Sequence, residues 1–79
     1  MLADYIRAAM RQATYEVLSD STFYGKIPGF QGVWSNATTL EACREELQEV
    51  LEGWMLLRIA DHLPLPEVDG ITLTVGKSA

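Results

Sequence analysis

Apolar residues recur along this chain with changing period, and each change marks a new element. Leu2, Tyr5, Ile6, Ala9, Met10 and Ala13 are spaced by threes and fours, while Asp4, Arg7 and Arg11 fall off that line. This spacing gathers the apolar set on one helical face and predicts a short amphipathic helix over residues 1–13. Such a helix is expected to pack on its own domain or on a neighbouring subunit. Two arginines are too few for a membrane-surface helix.

The period then falls to two. Tyr15 and Val17 alternate with Glu16 and Leu18, and the polar cluster Ser19-Asp20-Ser21 separates them from Thr22-Phe23-Tyr24-Gly25-Lys26-Ile27, a pattern that predicts a hairpin. Pro28 and Gly29 should end the second strand, because proline has no N–H to give the ladder, and Gly32 permits a φ that other residues resist. A third strand over residues 33–37 can then pair back.

Helical spacing returns with Leu40, Cys43, Leu47, Val50, Trp54 and Leu57, and Glu45, Glu46, Glu49 and Glu52 lie mostly off that stripe. Two caps compete for the start: Thr38 with Glu41 fits the S/T-x-x-E capping box, and Thr39 lies one residue closer. Leu51, Met55, Leu56 and Ile59 widen the apolar surface beyond what one sheet face needs, so a partner chain is expected there. Pro64 and Pro66 end the helical region. Ile71, Leu73 and Val75 alternate with threonines, as in a last strand.

The predicted order is α-β-β-β-α-β. It describes an α+β domain in which an antiparallel three-stranded sheet and a C-terminal strand pack on one long helix. Residues 1–79 form a single domain without internal repeat or linker, divided into an N-terminal helix (1–13) and a core (14–75).

At 79 residues a chain buries only about 60% of the surface its unfolded form exposes, so the core is small and association into at least a dimer is expected. Hydrophobic residues make up 48% of the composition, which favours a packed domain over a disordered tail. Eleven Asp and Glu against six Lys and Arg give a net charge of −5 and disfavour nucleic-acid binding, since the cations do not cluster. An acidic surface suits a basic protein partner, although solubility alone also accounts for it. The N-terminus has no continuous apolar run and no stretch approaches a membrane span, so a cytoplasmic protein is expected.

The segment from Ile27 to Leu47, IPGFQGVWSNATTLEACREEL, resembles the HicB antitoxin family. The resemblance is carried by Pro28, Gly32, Val33, Trp34, Thr39, Leu40, Glu41 and Cys43-Arg44-Glu45-Glu46-Leu47, with echoes at Tyr15-Glu16-Val17-Leu18, Phe23-Tyr24-Gly25 and Leu63-Pro64-Leu65-Pro66. It implies a partial ribonuclease-H-like fold, a helix N-cap at Thr39, and neutralisation of a small basic HicA-type ribonuclease by direct binding. Ala37 stands where that family usually has glycine, and Ala42 replaces a common second glutamate. The alternative is a stand-alone homo-oligomeric scaffold or regulatory module. Because the chain ends at Ala79, the attached DNA-binding domain of many family members is not expected.

Enzyme chemistry finds little support. Two-metal phosphoryl transfer needs several converging carboxylates, and the three-strand region offers only Glu16 and Asp20, so a non-catalytic relative is expected rather than a nuclease. His62 has no second imidazole or cysteine pair, and a contact with the helix C-terminal dipole is its plainer role. Cys43 sits at an apolar helical position and reads as a buried thiol. No serine has a nucleophile-elbow context, and no glycine run spells a phosphate loop. No catalytic, metal or cofactor residue is therefore expected. Tyr24, Trp34, Leu51, Met55 and Ile59 are the candidate partner or oligomer contacts.

Overall fold

The computed structural model describes residues 2–73. Helix α1 spans Leu2–Arg11, strands β1, β2 and β3 span Thr14–Val17, Phe23–Lys26 and Trp34–Ala37, and helix α2 spans Leu40–Ala60. The strands form one antiparallel sheet in the order β1-β2-β3. The chain is thus an α+β fold of order α-β-β-β-α over these residues. Helix α2 packs across β2 and β3, and α1 packs on α2 rather than on a strand.

Local chemistry explains the hairpin. Leu18 N–H bonds the Thr22 carbonyl at 2.8 Å and Ser21 N–H bonds Leu18 at 2.9 Å, closing a three-residue loop with Ser21 at φ 69°. Asp20 holds that loop, its carboxylate accepting from the Thr22 N–H at 3.0 Å and hydroxyl at 2.6 Å. This is the three-residue hairpin turn with a left-handed last residue, whose twist suits the flanking strands.

The Pro/Gly segment becomes two consecutive turns. Phe30 N–H bonds Ile27 and Val33 N–H bonds Phe30, each at 3.1 Å, with Gly29 and Gly32 at φ 87° and 90° in the third position of each turn. A positive φ there is what a type II turn demands, and Pro28 supplies the preferred second residue of the first. The three corner residues Ile27, Phe30 and Val33 are all buried while the turn tips are exposed. Val33 is therefore a turn corner, and β3 begins at Trp34.

Thr39 caps α2: its backbone is extended and its hydroxyl accepts from the Ala42 N–H at 3.0 Å. The other end closes as a Schellman motif, with Leu63 N–H on Arg58 O at 2.8 Å, His62 N–H on Ile59 O at 3.1 Å, and His62 itself at φ 56°. His62 is thus the left-handed residue of the motif.

The buried stripe of α2 differs from the predicted one. Cys43, Leu47, Leu51 and Met55 are at most 2% exposed, whereas Leu40 and Leu57 are 47% and 69% exposed. Steps of four advance about 40° around a helix, so this stripe winds from the sheet side at Cys43 to the α1 side at Met55. Of the apolar surplus in the second half, Leu51 and Met55 are thereby taken up, while Leu56 stays exposed. Leu51 and Met55 join the core cluster with Tyr5, Ala8 and Ala9, at 0% and 2% exposure.

An aromatic series links the layers. Tyr5 lies 6.3 Å from Phe30, Phe30 lies 5.2 Å from Trp54, and the Arg58 guanidinium sits 4.9 Å above the Trp54 ring. Arg58 Nε also donates to Pro64 O at 2.9 Å, and the Tyr5 hydroxyl donates to Pro66 O. These two bonds fasten the segment after α2 across the helices.

The predicted last strand is replaced, over the described residues, by one isolated antiparallel bridge between Val68 and Ile71. Asp69 and Gly70 have φ of 50° and 78°, the signature of a two-residue type I′ turn. Its tip is tied to the end of α1 by Gln12 Nε2 on Asp69 Oδ1 at 3.0 Å and Arg11 on Asp69 Oδ2 at 3.6 Å. Val75 lies outside the described residues.

Candidate interaction surfaces

The ladder register sorts the sheet into two faces. Tyr15, Gly25 and Ser35 stand in one row and face α2, where Ser35 Oγ donates to Cys43 O at 2.8 Å. Ser35 is 3% exposed, and its hydroxyl also lies 3.3 Å from the buried Cys43 thiol. Alternation puts Thr14, Glu16, Tyr24, Lys26, Trp34 and Asn36 on the opposite face, which neither helix covers.

On that open face Tyr24 and Trp34 stack diagonally across β2 and β3, with centroids 6.0 Å apart and planes 27° apart. Trp34 remains 53% exposed. Glu16 and Lys26 are the charged residues of these strand positions, one of each sign. Asn36 anchors the edge, its side chain donating to Thr22 Oγ1 and Phe23 O at 2.9 and 2.8 Å, while its N–H reaches Glu46 at 3.3 Å. The backbone N–H at the middle of an edge strand is thereby occupied, which blunts β3 as a template for strand addition.

A second uncovered surface lies on α2. Glu41, Glu45, Glu49 and Glu52 repeat at four and three, so they form one acidic stripe opposite the core, with Gln48 bonded to Glu52 at 3.1 Å. The stripe runs into a groove of about 320 Å³ lined by Leu2 and Ile6 from α1 and by Glu52, Met55, Leu56 and Ile59 from α2. Leu2 and Leu56 are 49% and 66% exposed there.

Of the predicted contacts, Tyr24 and Trp34 come together on the open sheet face, Met55 and Ile59 line the groove, and Leu51 is buried in the core. Periodicity places Leu2 and Ile6 on a stripe that packs on its own domain or on a neighbouring subunit. Their role in the groove depends on how two helices meet, which no spacing within either helix encodes.

Asp20 is engaged in its turn, and the Thr22 hydroxyl and N–H hold its carboxyl below the usual carboxylate range. Burial raises the Tyr5 phenol, with Arg58 pulling the other way. Burial likewise raises the Tyr15 phenol, opposed by the charge and weak side-chain hydrogen bonding of Arg44, and the buried Tyr15 hydroxyl has no partner at close hydrogen-bond distance. Among the described residues no three His, Cys, Asp or Glu side chains are grouped as a metal would require, and no helix is long and apolar enough to cross a membrane.

A small α+β domain with two uncovered faces, one aromatic and one acidic, defines the class of protein. The chain belongs to the UPF0150-like family, whose model matches residues 4–66. It is similar to TTHA0281 from Thermus thermophilus, whose crystal structure superposes with a TM-score of 0.90 at 31% identity, covering 96% of this chain and 95% of that one. No curated protein matches the chain.

Proposed function

We propose that this chain is a HicB-like antitoxin domain that binds a small basic HicA-type ribonuclease and blocks its access to RNA. The observation that carries this reading is the stripe of Glu41, Glu45, Glu49 and Glu52 on the outward face of α2. Four carboxylates on adjacent helical turns create a local negative field that steers and orients a cationic protein. That same field repels RNA, which leaves the fold to act on the nuclease rather than on its substrate. The partial ribonuclease-H-like description belongs to this reading, as does action in the cytoplasm.

The test is co-expression of the chain with the products of its neighbouring genes, followed by affinity capture and an RNA-cleavage assay. Capture of a small basic ribonuclease that the chain inhibits is the expected result. Recovery of no such protein, or metal-dependent RNA cleavage by the chain alone, overturns the reading.

The open sheet face favours a second reading, a homo-oligomeric scaffold. Tyr24 and Trp34 are residue types enriched at interfaces, and Glu16 with Lys26 leaves that face neutral, so two copies could meet there without charge repulsion. Light scattering on the wild-type chain and on Trp34→Ala tests it. A dimer that the substitution splits supports the scaffold, and a monomeric wild-type chain excludes it.

A further inference from the structure

We propose that the groove between α1 and α2 is the seat of an apolar anchor on a basic amphipathic helix of a partner protein. This inference rests on the reading of the acidic stripe given above and places the partner on the helical side of the molecule, away from the sheet.

Leu2, Ile6, Leu56 and Ile59 meet around Met55, and these four are left at least partly open. Glu52 belongs both to this groove and to the glutamate stripe. Apolar and acidic surface therefore form one continuous strip. Eighteen residues separate Glu41 from Ile59, and at 1.5 Å per residue the strip is about 27 Å long. A helix laid along α2 would meet carboxylates over most of its length and the Leu/Ile groove at one end. Such a helix needs apolar residues on one face flanked by lysine or arginine.

Charge decides between this occupant and a second copy of the chain. A second copy seated along the strip would bring a second set of the same glutamates against the first. Its α1 cations are poorly placed to offset them, since Arg7 is paired with Asp4 at 3.1 Å and Arg11 with Asp69 at 3.6 Å. A cationic helix meets the four glutamates with opposite charge, against the single positive charge of Arg44 beside Glu41 and Glu45.

The probes are two synthetic amphipathic peptides of about eighteen residues, one of leucine and lysine and one of leucine and glutamate in the same pattern, titrated into the full chain by calorimetry and followed by amide NMR. The Leu/Lys peptide should bind and shift the amides of Ile6, Leu56 and Ile59, and the Leu/Glu peptide should not. Leu56→Lys, at an exposed position that leaves the core intact, should weaken binding by about tenfold or more. Glu49→Lys should weaken it and flatten its salt dependence, while Trp34→Ala on the opposite face should leave it unchanged. Equal binding of both peptides, or affinity indifferent to Leu56→Lys, overturns the proposal. So does a wild-type dimer that Leu56→Lys splits into monomers. A captured basic ribonuclease whose complex survives Leu56→Lys would reject the groove while leaving the antitoxin reading intact; peptide binding without any captured partner would do the reverse.

Discussion

The ring of Tyr15 lies over Gly25 so closely that a Cβ added at residue 25 would stand 2.8 Å from Tyr15 Cε1 and 3.1 Å from Cys43 Sγ. The two residues are direct partners across β1 and β2, and the missing side chain on one strand is the space the other's ring fills. Gly25→Ala should therefore destabilise the chain by about 1–3 kcal/mol through overpacking at a site where both neighbours are held. Tyr15→Phe should be neutral or slightly stabilising at neutral pH, because it keeps the ring and removes a buried hydroxyl that has no partner at close hydrogen-bond distance. Urea denaturation of the two variants checks both, and a loss in Tyr15→Phe as large as in Gly25→Ala would reject the packing account.

The winding stripe of α2 makes a sharper prediction than burial alone. Leu51→Ala should cost about 2–5 kcal/mol, as should Leu47→Ala, because each leaves a cavity in the core. Leu57→Ala should stay within about 0.5 kcal/mol, although Leu57 belongs to the stripe that simple spacing selects. Denaturation midpoints that ranked Leu57 with Leu47 would show that the helix face is misassigned.

Those two helical stripes show where the sequence was readable and where it was not. The hairpin and the turn at Pro28-Gly29 are set by neighbours in sequence, and each was legible, whereas local pattern left Thr38 and Thr39 competing for the cap and only the family resemblance favoured Thr39. Which face α2 buries depends on a change of partner midway, from the sheet to α1, and no local pattern announces that change. Tyr24 and Trp34 share a parity that puts them on one sheet face, but parity cannot say which face meets the helix. The Tyr15-Gly25-Ser35 row against Cys43 decides it. At the C-terminal end Asp69-Gly70 between Val68 and Ile71 carried the signal of a two-residue turn, and the strand expected over residues 71–75 lies partly outside the described residues.

Two residues occupy left-handed backbone at a cost their side chains do not offset. His62 closes the Schellman motif at φ 56° with an exposed ring, and Ser21 ends the hairpin loop at φ 69°. His62→Gly and Ser21→Gly should each stabilise the chain by up to about 1 kcal/mol, the relief of αL strain exceeding the added entropy of an unfolded glycine. Thermal midpoints measured singly and together should rise additively, since the two sites share no neighbour. A fall in either would mean that the side chain has a role its contacts do not reveal.

Acid should weaken the hairpin loop. The Asp20 carboxyl is held below its ordinary value of 3.8 by the Thr22 hydroxyl and N–H. Its folded-state pKa is depressed, so its contribution is present above the unfolded value and is lost as pH falls through the folded one. Asp20→Asn should lose stability at neutral pH and show a flatter decline than wild type between about pH 5 and pH 2. Parallel acid limbs for the two proteins would remove Asp20 from the account.

The glutamate stripe should trade stability for binding. Glu45 has Glu41 four residues before it and Glu49 four residues after it, all three exposed, so it sits in two like-charge pairs that disfavour the helix. Glu45→Lys turns both into opposite-charge pairs, one in the favoured order with glutamate N-terminal to lysine. The isolated chain should gain about 0.5–1 kcal/mol, more at low salt than at high salt. Association with a basic partner should weaken in the same variant, chiefly through a slower on-rate. Denaturation and stopped-flow binding at two ionic strengths read the two effects separately. A variant both more stable and slower to associate would mark the stripe as held for recognition, whereas an unchanged on-rate would reduce it to a solvated helix face.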